Sequence, residues 1–201
     1  MELFQPDPAV NLLPRDGTVN YHGRILGEEQ AKNYYERLRS NVPWQHDEVV
    51  IFGKHIVTAR KVAWYGDAGF SYTYSGTTKQ ALPWTPELRE LKAIAEARSG
   101  VVFNSCLLNL YHDGSEGMGW HSDDEKSLVR NGCIASMSFG AERKFSFRHK
   151  QTKETVSVML ESGSLLLMAG GTQTHRHHQL PKSMKATTPR INLTFRTMAK
   201  P

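Results

Sequence analysis

Cysteine is scarce: Cys106 and Cys133 are the only two among 201 residues, each inside an apolar, strand-like stretch. That excludes a disulfide framework or a cysteine-rich zinc site and fits core thiols in a reducing compartment. Long apolar runs are missing too. The best, residues 165–169, falls far short of the roughly 18 residues a membrane span needs and reads as a buried strand. The start, Met1-Glu2-Leu3-Phe4-Gln5-Pro6-Asp7-Pro8, has no basic cluster and no apolar stretch, so neither signal peptide nor secretion is expected. Repeats, low-complexity tracts and an internal linker are also lacking. With 39% hydrophobic content, a single domain over 1–201 with one sizeable core is expected.

What is there begins with charge. The net charge is +5, and basic residues gather at Arg143-Lys144, Arg148-His149-Lys150, Lys153 and from Lys182 to Lys185, while acid concentrates at Asp123-Asp124-Glu125. A modest basic excess favours a polyanionic partner only weakly. Helical spacing of Ala31, Tyr34, Tyr35 and Leu38 predicts a helix over 28–39. A second is bounded by Thr85 as cap, Pro86 in its first turn and Ser99-Gly100 at its end, with Leu88, Leu91, Ile94 and Ala95 as its stripe. Beyond Gly100 the period changes to two. Strands are predicted over 103–111, 134–139, 144–147, 156–160, 164–168 and 191–195, with residues 151–154 as a turn. Short strands without intervening helices pair antiparallel, as in a sandwich, barrel or jelly roll. Residues 49–84 are instead rich in aromatics and glycine, with Tyr72 and Tyr74 on one side of an extended segment.

Three constellations carry chemistry. In Trp120-His121-Ser122-Asp123-Asp124, an extended backbone sends His121 and Asp123 the same way, so an imidazole and a carboxylate reach one metal. A second, distant histidine would complete a facial triad and leave open positions on an octahedral iron. Alone, His-x-Asp also fits an ordinary surface turn. The distant histidine has three candidates, His175, His177 and His178; spacing does not choose among them. In the third constellation Arg190, Asn192, Thr194 and Arg196 alternate with Ile191, Leu193 and Phe195. Such a polar face either meets water or turns inward, where guanidinium forks hold a small dicarboxylate. Asn109 and Tyr111 alternate in the same way with Leu108 and Leu110.

The combined order Asn109-x-Tyr111, His121-x-Asp123, His178, Arg190-x-Asn192-x-Thr194-x-Arg196 resembles the AlkB family of nucleic-acid dealkylating dioxygenases. The last motif is specific to that family, whereas His-x-Asp…His belongs to a much larger superfamily. The likeness covers about 49–198. Phe52-Gly53-Lys54, Tyr65-Gly66-Asp67, Ser75-Gly76, Ser138-Phe139-Gly140 and Phe147-Arg148-His149-Lys150 are similar to the branch that repairs duplex DNA and to its sister branch.

The resemblance implies an α+β, β-rich fold. Its core is a double-stranded β-helix, or jelly roll, over 101–200, preceded over 1–100 by helices and a nucleotide-recognition lid at 49–84. It implies Fe(II) on His121, Asp123 and His178. It places 2-oxoglutarate on Asn109, Tyr111, Arg190, Asn192, Thr194 and Arg196, with the far carboxylate on Arg190 and with Arg196 alternatively bracing Asp123. With O2, the implied reaction oxidises a methyl group on a base nitrogen, as in 1-methyladenine or 3-methylcytosine, releasing formaldehyde and succinate. Such a base is reached in a single strand or by flipping. Phe52, flanked by Ile51 and Gly53 and followed by Lys54, matches a ring that fills the vacated stack. Tyr72 and Tyr74 match the pocket wall, Asp124 a reader of the exocyclic amino group, and Arg148, Lys150, Lys182 and Lys185 phosphate contacts. The implied partner is methylated DNA, single- or double-stranded, with RNA or a protein side chain as alternative substrates and a catalytically dead binding module as the rival class. A monomer is expected, with no membrane partner, in the cytoplasm of a bacterium or the nucleus of a eukaryote.

Overall fold

A computed structural model describes residues 6–51, 54–74 and 77–199, with backbone alone at 49–51, 54–56, 71–74 and 77–79. In chain order the elements are β1 (Thr18–Arg24), α1 (Glu28–Asn41), β2 (Gln45–Ile51), β3 (Lys54–Gly66), β4 (Ser71–Tyr74), β5 (Thr77–Gln80) and α2 (Pro86–Ser99). The C-terminal half adds β6 (Ser105–Tyr111), β7 (Met118–His121), β8 (Ile134–Gly140), β9 (Arg143–His149), β10 (Thr155–Leu160), β11 (Ser164–Ala169), α3 (Thr172–His175), β12 (Arg176–Leu180) and β13 (Arg190–Arg196).

Among the described residues, a major sheet runs β1-β11-β8-β13-β6-β3-β2 and a minor sheet β10-β9-β12-β7, while β4 pairs with β5. Their pairings are antiparallel. Period two decides the layers. Cys106, Leu108 and Leu110 of β6, Ala135, Met137 and Phe139 of β8, and Ile191, Leu193 and Phe195 of β13 pack against α1 and α2. The other face of the same sheet gives Val19, Tyr21, Ile134, Leu166 and Met168 to a second cluster, which Phe147 and Leu160 of the minor sheet complete. This is the jelly roll expected from the family likeness, with helices backing its larger sheet.

α2 starts and stops where its signals stand: the Thr85 hydroxyl accepts from the Leu88 amide at 3.3 Å, and Gly100 caps it at φ 69°. A left-handed residue there favours glycine. The N-terminal half holds more than helices and a lid. Residues 18–24 form β1, antiparallel to β11, with Val19 fully buried. β2 and β3 extend the major sheet beyond β6. Hydrogen bonding explains this: an uncovered edge on β11 or β6 would leave a row of unpaired amides and carbonyls.

Candidate active site

The floor of the site is the inner row of the major sheet. Register places Asn192 between Ser138 on β8 and Asn109 on β6, and Arg190 between Gly140 and Tyr111. Arg190, Asn192, Thr194 and Asn109 are all buried, so the polar face of β13 turns inward, not to water. The polar groups satisfy one another. The Asn192 amide donates to Ser136 Oγ at 2.9 Å and to the Met137 carbonyl at 3.1 Å, and Thr194 Oγ1 donates to Asn192 Oδ1 at 3.2 Å. Asn109 Oδ1 accepts from Arg60, which also pairs with Asp47.

Arg190 is the exception. It is 2% exposed and donates to Ser138 Oγ at 2.9 Å, its guanidinium lies 5.6 Å from the centre of the Tyr111 ring, and its Nε has no partner. No carboxylate pairs with it among the described residues. Burial is the main reason its acidity rises, with a pKa pushed down to about 10; Tyr111 opposes and Arg143 adds to the shift. It remains a cation at neutral pH, and a buried cation without a counter-ion fits an anionic ligand.

Beside this floor sits the metal face. His121 ends β7, Ser122 Oγ anchors the turn on the Arg176 carbonyl at 2.9 Å, and the Asp123 amide donates to Gln173 Oε1 at 2.9 Å. β12 lies between β9 and β7, with His178 opposite both Phe147 and His121. Its inner positions are Arg176, His178 and Leu180, so His177 points away. Nε2 of His121 and of His178 lie 3.7 and 3.9 Å from Asp123 Oδ1, and the three ligand atoms fall within 4.8 Å of one another. Burial is the principal cause that lowers the His178 pKa to about 3, against the pull of Asp123. The neutral ring keeps a lone pair for a metal. Burial would raise the Asp123 carboxyl, but Arg196, His178 and His121 outweigh it and hold it below its usual range. Arg196 Nη2 donates to Asp123 Oδ2 at 2.7 Å. It therefore takes the alternative role, bracing the aspartate.

Asp124 is exposed and, with Glu125, Cys133, Gln173 and Arg196, lines a cleft of about 350 Å³ that reaches Asp123. Arg148 stacks over Trp120, 4.2 Å from its centre. Phe52 and Gly53 lie outside the described residues, and Lys54, Tyr72 and Tyr74 are placed by backbone alone, on β3 and β4. Two basic clusters need correction. Arg143 is 1% exposed and His149 is 3% exposed; His149 holds Asp16 at 3.1 Å. Lys150 donates to the Gln173 carbonyl at 2.9 Å. Alternation along β9 sends residues 143 and 149 inward while leaving Lys144 outside. Ser136 and Arg60 drew no notice in the sequence, and Ser138 stood in a motif of the family likeness without a role in the site. For the serines a signal existed, since they repeat on β8 the period of Asn192 and Thr194. Arg60 stands in no comparable pattern.

A jelly roll with a two-histidine, one-carboxylate face and a buried, unpaired guanidinium beside it defines a non-haem iron oxygenase with a carboxylate cosubstrate. The chain belongs to the 2OG-Fe(II) oxygenase superfamily, which it matches over residues 18–196, and is a dioxygenase of that family, whose metal and cosubstrate are Fe(II) and 2-oxoglutarate. It is 40% identical to the DNA oxidative demethylase ALKBH2 of Homo sapiens over 183 residues, covering 86% of this chain and 70% of that protein. The Bos taurus protein of the same name is also 40% identical, with 66% of its length covered. The alpha-ketoglutarate-dependent dioxygenase alkB homolog 3 of Homo sapiens is 42% identical over 180 residues, covering 85% of this chain and 62% of that protein. The chain thus spans about two thirds of the length of these relatives. The solved structure of OsALKBH1 shares the fold at a TM-score of 0.61 and 18% identity, over 92% of this chain and 99% of that one.

Proposed function

We propose that this chain oxidatively demethylates N-alkylated bases of the 1-methyladenine and 3-methylcytosine type in DNA, releasing formaldehyde and succinate. The observation that carries it is the pairing, in one interior, of the His121-Asp123-His178 face with the Arg190 cation, which has no carboxylate partner among the described residues, in a chain whose relatives are named DNA oxidative demethylases. Fe(II) with 2-oxoglutarate and O2 supplies the oxidising power that removal of such a methyl requires.

The protein's own part is placement. His121, Asp123 and His178 hold the metal, and Arg196 fixes the carboxylate that joins them. Arg190, with Ser138 and Tyr111, takes the far carboxylate of the cosubstrate, over a floor of Asn109, Asn192 and Thr194. Phe145 and Phe147 pack on His178, with ring centres 5.4 and 6.2 Å away, and keep water from that side. His121 is the open flank, its side chain 34% exposed, so a methyl would be presented from that side. A base enters such a cleft only unstacked. By the family likeness, Asp124 would read the base, Tyr72 and Tyr74 would wall it, and Phe52, with Gly53 and Lys54, would fill the gap left in the stack. Arg148 is offered to the phosphates, with Lys150, Lys182 and Lys185 as flanking cations. The enzyme acts as a monomer wherever the cell keeps its DNA.

The test is formaldehyde release with Fe(II) on methylated single- and double-stranded DNA and on methylated RNA, run side by side. Turnover of DNA is expected. Much faster turnover of RNA, or none of any nucleic acid, sinks the assignment.

A further inference from the structure

Arg143 begins β9, and the inward row it opens continues through Phe145 and Phe147, the two rings that pack on His178. Its guanidinium donates to three main-chain carbonyls, of Asp113 at 3.3 Å, Glu116 at 2.8 Å and Pro181 at 2.7 Å, while Nε is buried without a partner. None of these acceptors carries a full charge. The Asp113 and Glu116 carboxylates favour the cation from a distance, but they are bonded to the Ser115 amide and to His112.

Arg190 enters the same corner from the other sheet. Its register partner Gly140 lies three residues before Arg143, and the Ala141 amide closes the corner on the Pro189 carbonyl at 2.9 Å. Both guanidinium groups are buried, Arg190 beside the Tyr111 ring and Arg143 against the carbonyl of Asp113 two residues further along the chain, and neither has a carboxylate in ion-pair range among the described residues. The Arg143 charge is felt at Arg190, where it reinforces the effect of burial. Such a corner is costly to keep dry and cationic unless a ligand brings the anion. One guanidinium would suffice for one carboxylate; the second also ties the 113–116 loop to Pro181, three residues past a metal ligand.

We propose that Arg143 is a positioning residue that selects a dicarboxylate oxo acid: it reinforces the cationic corner around Arg190 and fixes the loops that frame it. It acts through Arg190, Tyr111 and those loops, not by touching the cosubstrate. The inference rests on 2-oxoglutarate as cosubstrate.

The test is binding, read by calorimetry on the full chain with Mn(II), for 2-oxoglutarate and for 2-oxopentanoate, which has a methyl in place of the far carboxylate. Arg143→Gln is expected to weaken 2-oxoglutarate about tenfold, equivalent to about 1.4 kcal/mol, while 2-oxopentanoate stays within about twofold. Arg143→Lys, which keeps the charge but lacks the planar fork that spans these carbonyls, should retain the preference. Equal weakening of both acids by Arg143→Gln would reduce Arg143 to a brace of the fold and overturn the proposal; so would an unchanged affinity for 2-oxoglutarate. Should Arg143→Gln fail to fold, Arg143→Lys decides, and loss of the preference there counts against it. If the unaltered chain binds neither acid, the cosubstrate reading falls with the proposal, whereas tight wild-type binding with unaltered selectivity in the variants sinks the Arg143 role alone.

Discussion

His175, His177 and His178 lie within four residues, and the backbone sends each to a different place. His175 closes α3, its ring parallel to that of His149 at 6.5 Å. His177 looks outward, its pKa lowered by partial burial and then by Lys150, Arg148 and Lys153. Only His178 faces Asp123. Replacing His178 with Ala should therefore abolish turnover and cut metal affinity by more than the roughly 10–100-fold that loss of an outer-shell partner costs. His175→Ala and His177→Ala should keep measurable metal binding and turnover. Titration with Mn(II) beside the formaldehyde assay checks this, and a comparable loss in either neighbour, with the fold intact, would mean the ligand is misassigned. Arg143 teaches the complementary lesson. Beside Lys144 it looks like half of a surface cluster, yet one side chain is buried and the other exposed, because strand neighbours face opposite ways.

Elements with one continuous apolar face were legible, and those without one were not. α2 declared both ends through Thr85, Pro86 and Gly100, and β6, β8 and β13 fall within two residues of their predicted spans. β12 gave no signal, since two of its inward positions are Arg176 and His178, which break the apolar alternation that marks a strand. β7, Met-Gly-Trp-His, hid for the same reason. The joints between elements carry their own constraint. Gly140 ends β8 at φ 82°, and a Cβ there would lie 2.4 Å from the Pro189 carbonyl oxygen and 2.9 Å from the Tyr35 ring. Gly140→Ala should thus destabilise the fold by at least about 1–3 kcal/mol, the cost of a non-glycine residue in that region. Because Gly140 pairs with Arg190, 2-oxoglutarate binding should suffer more than Mn(II) binding. Urea unfolding and calorimetry together test this, and an unchanged midpoint would contradict it.

At the scale of the molecule, the metal face and the cosubstrate floor belong to different sheets, His178 to the minor and Arg190 to the major. A ligand pair that spans both should stiffen the sandwich as a unit. Mn(II) and 2-oxoglutarate together, at about a hundred times their dissociation constants, should add roughly 2.7 kcal/mol or more to stability and raise the melting temperature by about 5–10 °C. A scan with each ligand alone and with both is the measurement; no shift with the pair would show that the two halves do not close on one ligand set. The sequence by itself determined local matters: the two long helices, the strands with an apolar face after Gly100, that β13 has one polar face, and that His121 and Asp123 share a direction. These follow from periodicities of a few residues, which neighbours along the chain impose. Only the tertiary structure decided that the polar face of β13 points inward and that Arg196 braces Asp123 while Arg190 finds no carboxylate among the described residues. It likewise decided that Arg143 is buried instead of lying on the surface. Those outcomes depend on which sheet covers which face, a matter of packing between residues as far apart as 123 and 196, and no local pattern carries it.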